Sequence, residues 1–222
     1  MKTIAEKIAK PAYPVRIMQF GEGNFLRAFV DWMIDRLNEE AGFQTAVTVI
    51  QPIAAGLAEK INAQKGLYTL FLNGLREGKP HSEHRVVRCL DRCIDPYANF
   101  QEYLSTAENR DLRFVVSNTT EAGIAFNADD RMTDAPPSSF PAKLAVWLHR
   151  RYSFFQGSAA SGLVFLPCEL IEDNGDKLKD CLLKYGDLWR LEKGFGQWID
   201  RSCVFTNTLV DRIVTGYPKE RA

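Results

Sequence analysis

No run of apolar residues in this sequence approaches the length of a membrane span, and the opening MKTIAEKIAKPAYP has no apolar core of the kind a secretion signal needs. Neither sign of charge is in excess. The 28 basic and 28 acidic side chains cancel, so the basic surplus of proteins that bind phosphate backbones is missing and nucleic acid is not an expected partner. Cysteine is sparse and unpatterned. Cys89, Cys93, Cys168, Cys181 and Cys203 are odd in number and form no CxxC pair, which argues against a disulfide framework or a zinc site. Free thiols in a reducing cytoplasm are the expectation. Histidine is scarcer still. His81 and His84 fall in the polar KPHSEHR stretch beside a proline, and His149 lies on the polar side of a helical pattern, so no metal is expected. Repeats and low-complexity tracts are absent. What is present is a hydrophobic content of 45% over 222 residues, enough to bury the core of one large domain.

Along the chain, short β-branched runs alternate with helical patterns. VRIMQF (15–20) reads as a buried strand. Phe25, Phe29, Met33 and Leu37 then recur at helical spacing, predicting a helix over 24–40 that Gly42 stops. AVTVI (46–50) is a second strand, which completes a strand–helix–strand unit. Residues 67–94 alternate and offer two turns, Asn73-Gly74 and Glu77-Gly78, predicting a β-hairpin excursion. Helical spacing returns at 96–107, a strong strand at 112–118, and a proline-bearing loop at 129–139. Helices are predicted over 141–155 and 173–189, with a strand at 162–170 between them and a final strand opening the 202–214 stretch. This order predicts an α/β fold, a Rossmann-like, doubly wound and mostly parallel sheet whose ligands bind at the carboxyl ends of its strands.

Two glycines stand one residue apart where the first strand gives way to helix. In a dinucleotide fingerprint the first glycine makes the turn and the second leaves bare backbone near a pyrophosphate. Gly21 and Gly23 supply these two positions, but the third is Leu26, and the second strand ends in Gln51 in place of an acid. Gln51 still offers hydrogen bonds to a ribose, and no arginine between it and Lys60 is there to welcome a 2′-phosphate. NAD is therefore expected over NADP. A plain structural turn is the competing reading of the glycine pair.

The surrounding residues carry a resemblance. GEGNFLRAF (21–29) resembles the GxGxFxRA signature of the polyol-specific long-chain dehydrogenases, the mannitol dehydrogenase family. VSNTTEAGIAF (116–126), LPCELIEDNG (166–175) and FTNTLVDRIV (205–214) resemble further segments of that family in the same order. Segments 19–32 and 59–69 are most similar to the branch acting on sugar acids, which implies a small-molecule hexonate substrate. The resemblance implies that residues 1–222 form an NAD-binding Rossmann domain. It also implies a helical C-terminal domain, not represented here, that holds a catalytic lysine with an asparagine and a histidine. No catalytic residue is therefore expected in this chain, and little turnover by itself.

The cofactor-facing group is expected to comprise Phe20, Gly21, Glu22, Gly23, Asn24 and Phe25 at the turn, with the backbone N–H groups of 22–25 receiving the pyrophosphate and the Glu22 side chain pointing outward. Gln51 completes it at the second strand, and Asn118, Thr119, Thr120 and Glu121 at the strand after it, toward ribose and nicotinamide. By resemblance, Asn174 and Asp211 are supporting residues near the reacting centre. Their plain alternatives are a helix-start turn and a surface ion pair with Arg212. Leu209, Val210, Ile213 and Val214 have no later partners in the sequence, so an exposed docking surface that promotes self-association is expected.

Overall fold

The computed structural model describes residues 4–120 and 122–216. β1 (Val15–Phe20) enters the core and buries Ile17, Met18 and Phe20. After the glycines come α1 (Asn24–Ala28) and α2 (Val30–Glu40), nearly one helix but broken at Phe29, where φ is −115° and ψ is −76°. The buried side of this pair is not the anticipated Phe25–Leu37 stripe. Leu26, Ala28, Asp31 and Asp35 are buried, whereas Leu37 is 44% exposed, because the two acids meet partners from distant parts of the chain.

β2 (Ala46–Ile50) is buried along its whole length, and the short α3 (Ala58–Ala63) follows. β3 (Tyr68–Arg76) and β4 (Lys79–Val87) form the antiparallel hairpin. Its turn is Glu77-Gly78, both at positive φ (53° and 75°), as a two-residue hairpin turn requires. Asn73-Gly74 lies inside β3 instead. β5 (Leu90–Ile94), which the alternation ran together with the hairpin, leaves it to pair with β2.

α4 (Phe100–Ser105) is capped by the Asn99 side chain, and β6 (Phe114–Ser117) crosses the core. α5 (Phe140–Phe154) starts where Ser139 accepts the Ala142 N–H, with Pro141 in the first turn. β7 (Val164–Pro167), α6 (Asn174–Leu188), α7 (Lys193–Ser202) and β8 (Val204–Phe205) complete the order.

Six strands form one parallel sheet in the order β5-β2-β1-β6-β7-β8. The chain winds one way from β1 to β2 and the other way to β6, so the sheet's switch point lies beside β1. Helices cover both faces. Phe20, Tyr103, Trp147, Leu182 and Phe195 pack one face, and Leu26, Val47, Val49, Leu90 and Val116 pack the other. Each such side chain, once fully buried, contributes about 1.5–3 kcal/mol against the cost of ordering the chain. All five cysteines are buried and unpaired. Among the described residues no helix is long and apolar enough to cross a membrane.

Candidate functional site

The two glycines do different work. Gly21 has φ +117°, and its N–H donates to the Ile50 carbonyl at 3.0 Å. A Cβ added there would lie 2.6 Å from the Asn118 carbonyl oxygen, so β1, β2 and β6 close around a residue that must be glycine. Gly23 is exposed, with ordinary extended angles (φ −65°, ψ 167°), and a Cβ added there would meet nothing within 4 Å. The fold has no use for a glycine at 23; the space in front of it is simply open. Leu26, at the third fingerprint position, is buried beneath the turn. Asn24 is exposed and accepts a hydrogen bond from Arg27.

Beside the turn, at the carboxyl edge, lies a cleft of about 360 Å³. Phe25, Asn118, Thr120 and Cys168 line it, and Leu170, Asp211 and Arg212 reach it from beyond β7 and β8. Four residues singled out in the sequence, Phe25, Asn118, Thr120 and Asp211, thus meet in one place. Thr120 sits at φ +108°, a strained conformation for a β-branched residue. Thr119 stands next to it but turns inward, donating from N and Oγ1 to Glu169 (3.0 Å each). Glu169 also accepts from Ser117 Oγ at 3.0 Å. Burial pushes the Glu169 carboxyl up, against the pull of these donors. Glu169 was not singled out in the sequence, because its partners lie some 50 residues away. Glu121 lies outside the described residues. Arg212 stacks over the Trp32 ring at 4.5 Å, which holds the segment after β8 against α2.

Four expectations are corrected. Both hydrogens of the Gln51 amide are taken: Nε2 donates to the Ile53 and Ala54 carbonyls (2.9 and 3.3 Å), and Oε1 accepts the Ala58 N–H (3.1 Å). It shapes the loop before α3 and has no donor left for a ribose. Asn174 is fully buried, with Nδ2 near the carbonyls of Pro167, Glu169 and Thr208 and Oδ1 accepting the Thr208 N–H. It clamps the chain after β8 to the end of β7 and offers nothing to a substrate oxygen. The Phe20 ring packs in the core against Tyr103 and Phe140, leaving only its backbone at the turn. Glu22 does not point outward. It is 7% exposed, its carboxyl set against its own backbone N–H and that of Leu57, and burial pushes it up.

The cleft's chemistry follows from these groups. Burial raises the Cys168 thiol to about 12, so it is no thiolate nucleophile at neutral pH. Among the described residues no three or more His, Cys, Asp or Glu side chains gather as a metal site. Asp211 and Arg212 line the cleft together with an apolar wall of Phe25 and Leu170.

A glycine bend at the switch point of a doubly wound parallel sheet, opening on a cleft at the strand ends, defines a Rossmann-type domain. The sequence profile of the mannitol dehydrogenase Rossmann domain matches residues 15–222, and the chain belongs to that family. It is 48% identical over 206 residues to the altronate oxidoreductase of Bacillus subtilis, covering 93% of this chain and 43% of that protein. The altronate oxidoreductase of Klebsiella pneumoniae is 49% identical over 222 residues, covering 99% of this chain and 46% of that one. The chain therefore spans less than half the length of these relatives. In fold it resembles the mannitol 2-dehydrogenase of Pseudomonas fluorescens, solved as a ternary complex with NAD and D-mannitol. That match has a TM-score of 0.78 at 19% identity and covers 94% of this chain and 44% of that one. A D-sorbitol dehydrogenase solved without substrate gives the same TM-score at 23% identity, with the same coverage of 94% and 44%.

Proposed function

We propose that this chain is the NAD-binding half of an altronate oxidoreductase (tagaturonate reductase), which passes hydride between nicotinamide and the carbinol or keto carbon of a hexonate. The observation that carries the reading is Gly23, a bare and exposed backbone position that no neighbour requires to be glycine. A group arriving from outside accounts for it, and a diphosphate held by peptide N–H groups is the chemistry such a bend offers. In this reading the turn at 21–25 takes the diphosphate, and Asn118 and Thr120, which line the cleft beside it, serve the ribose and nicotinamide. Residues 51–60 carry no arginine for a 2′-phosphate, which favours NAD over NADP. Relatives 48% and 49% identical that bear the altronate oxidoreductase name support the hexonate.

Hydride transfer needs an acid–base group beside the substrate oxygen. At the cleft, burial keeps the Cys168 thiol protonated at neutral pH, and Asp211 is left in a supporting place at the rim. The proton chemistry therefore falls to the part of the full-length relatives that this chain does not span, and turnover by the chain alone is small or nil. Leu209 and Ile213, 94% and 90% exposed beside the cleft, form the surface on which that part packs. Left bare, they favour self-association.

The test mixes this chain with a separately produced C-terminal half of an altronate oxidoreductase and follows NADH oxidation. Turnover of tagaturonate on mixing, absent from either half alone, supports the reading. Preference for fructose or fructuronate moves the substrate assignment to a mannitol dehydrogenase or a fructuronate reductase. NADH binding without recovered turnover leaves a non-catalytic nucleotide-binding module.

A further inference from the structure

A buried polar cluster behind the glycine turn has no part in lining the cleft. Gln19, fully buried on β1, donates from Nε2 to the Gly21 carbonyl at 3.0 Å and approaches Asp31 Oδ2 at 3.5 Å. Asp31, fully buried on α2, has a second long contact at 3.4 Å from the Tyr68 hydroxyl, which donates chiefly to the Arg27 carbonyl at 2.6 Å. Gln19 Oε1 and Asp31 Oδ1 are both buried without a hydrogen-bond donor. Each such buried oxygen left without a donor is unfavourable, and the two belong to side chains already in contact through Gln19 Nε2 and Asp31 Oδ2. One proton on Asp31 resolves the deficit, since a carboxylic acid donates to an amide oxygen.

Of the groups facing Asp31, Arg27 and the Gln19 and Tyr68 donors pull its carboxyl down, but burial outweighs them. Arg27 of α1 directs its guanidinium to the Glu22 carbonyl and Asn24, and Asp35 of α2 is a like charge paired with Arg85 of β4 at 2.7 Å. Tyr68 of β3 is neutral, and the Cys89 thiol, raised by burial, donates to the Asp31 backbone carbonyl at 3.2 Å. Burial holds the Asp31 carboxyl up at about 7.

The link to the turn is a matter of peptide geometry. A trans peptide points its N–H opposite to its C=O, so fixing the Gly21 carbonyl inward through Gln19 fixes the Glu22 N–H the other way. The Glu22 carboxyl lies against that N–H and has to yield it to an arriving diphosphate.

We propose that protonated Asp31 is a positioning residue for nucleotide binding: through Gln19 it locks the Gly21 carbonyl and hence the Glu22 N–H of the glycine turn, and loss of its proton to solvent releases the lock. Ionised Asp31 attracts the Gln19 amide hydrogens away from Gly21 and repels Gln19 Oε1. The proposal rests on the nucleotide-binding reading above.

NADH titration of the full 222-residue chain, followed by fluorescence, tests it. Between about pH 6 and about pH 8 the wild-type dissociation constant rises roughly five- to tenfold. Asp31→Asn, whose amide donates to Gln19 Oε1 at any pH, binds with the wild-type low-pH affinity throughout. Gln19→Leu binds more weakly and without the pH slope. An infrared band of a protonated, buried carboxyl is present at about pH 6 and disappears in Asp31→Asn. Thermal melts at both pH values establish that each variant is folded. Tight wild-type binding that does not change with pH, or an Asp31→Asn protein that keeps the slope, overturns the proposal and leaves the nucleotide reading intact. A folded wild type that binds no NADH at either pH overturns both.

Discussion

Asp31 and Asp130 are both nearly inaccessible, at 0% and 4% exposure, yet their surroundings differ in the number of donors. Asp130 accepts from the Ser138 N–H and hydroxyl (2.7 Å each), the Ser139 N–H (3.2 Å) and the Tyr185 hydroxyl (3.1 Å). Burial pushes this carboxyl up, but the serine hydroxyls and N–H groups outweigh it and hold it below the usual range. Asp31 has two long contacts and no close donor, and burial prevails. Donor count, not depth, decides which acid keeps its charge. The pinned acid anchors a loop, and the under-satisfied one lies behind the glycine turn.

The largest effect expected from breaking this contrast is at Asp130. Asp130→Ala strands the Ser138 and Ser139 N–H groups and the Ser138 hydroxyl, and should cost about 3 kcal/mol in urea denaturation at neutral pH. A loss near zero would mean that the loop does not depend on its carboxylate.

Next comes Gly21→Ala, which combines positive φ with a 2.6 Å approach to the Asn118 carbonyl. It should cost about 2 kcal/mol in the same assay, whereas Gly23→Ala should stay within about 0.5 kcal/mol of wild type. Equal losses at the two positions would remove the distinction between a glycine the fold needs and one it does not.

Asp31→Asn is expected to be smaller in size and opposite in sign. The folded-state pKa of Asp31 is raised from 3.8 to about 7, so its stabilisation is complete at low pH and declines across that window as pH rises. Asp130, held below the usual value, does the reverse: its contribution is present at neutral pH and is lost on acidification. Asp31→Asn should therefore raise the melting temperature by a few degrees at about pH 8 and by less at about pH 5. A shift independent of pH would show that Asp31 does not titrate in this range.

Much of the architecture was legible because it depends on local pattern. The β-branched runs at 15–20 and 46–50, the glycine pair and the Ser139-Pro141 helix start each announce themselves within a few residues. α7 was missed because Gly194 and Gly196 weaken its helical signal, although Phe195, Trp198 and Ile199 carry the right spacing and are buried. The site was half legible. Phe25, Asn118, Thr120 and Asp211 do converge on one cleft. Gln51 and Asn174 had the right residue type at the right strand ends, but nothing in the chain order reveals that loop carbonyls take up their amides. Asp31 and Glu169 were hidden for a related reason, since their partners come from other elements. Lys143 is similar: it sits within a predicted helix, yet it is fully buried, donates to the Ser138 carbonyl and is lowered by burial to about 8.

The central claim is that open backbone at Gly23 receives a diphosphate, and NADH titration of Gly23→Val beside wild type tests it most directly. The account predicts at least a roughly tenfold loss of NADH affinity in a protein that stays folded, because a Cβ added at this position meets no protein atom within 4 Å and the side chain stands in the way of the incoming cofactor. Wild-type affinity in a folded Gly23→Val protein would contradict it.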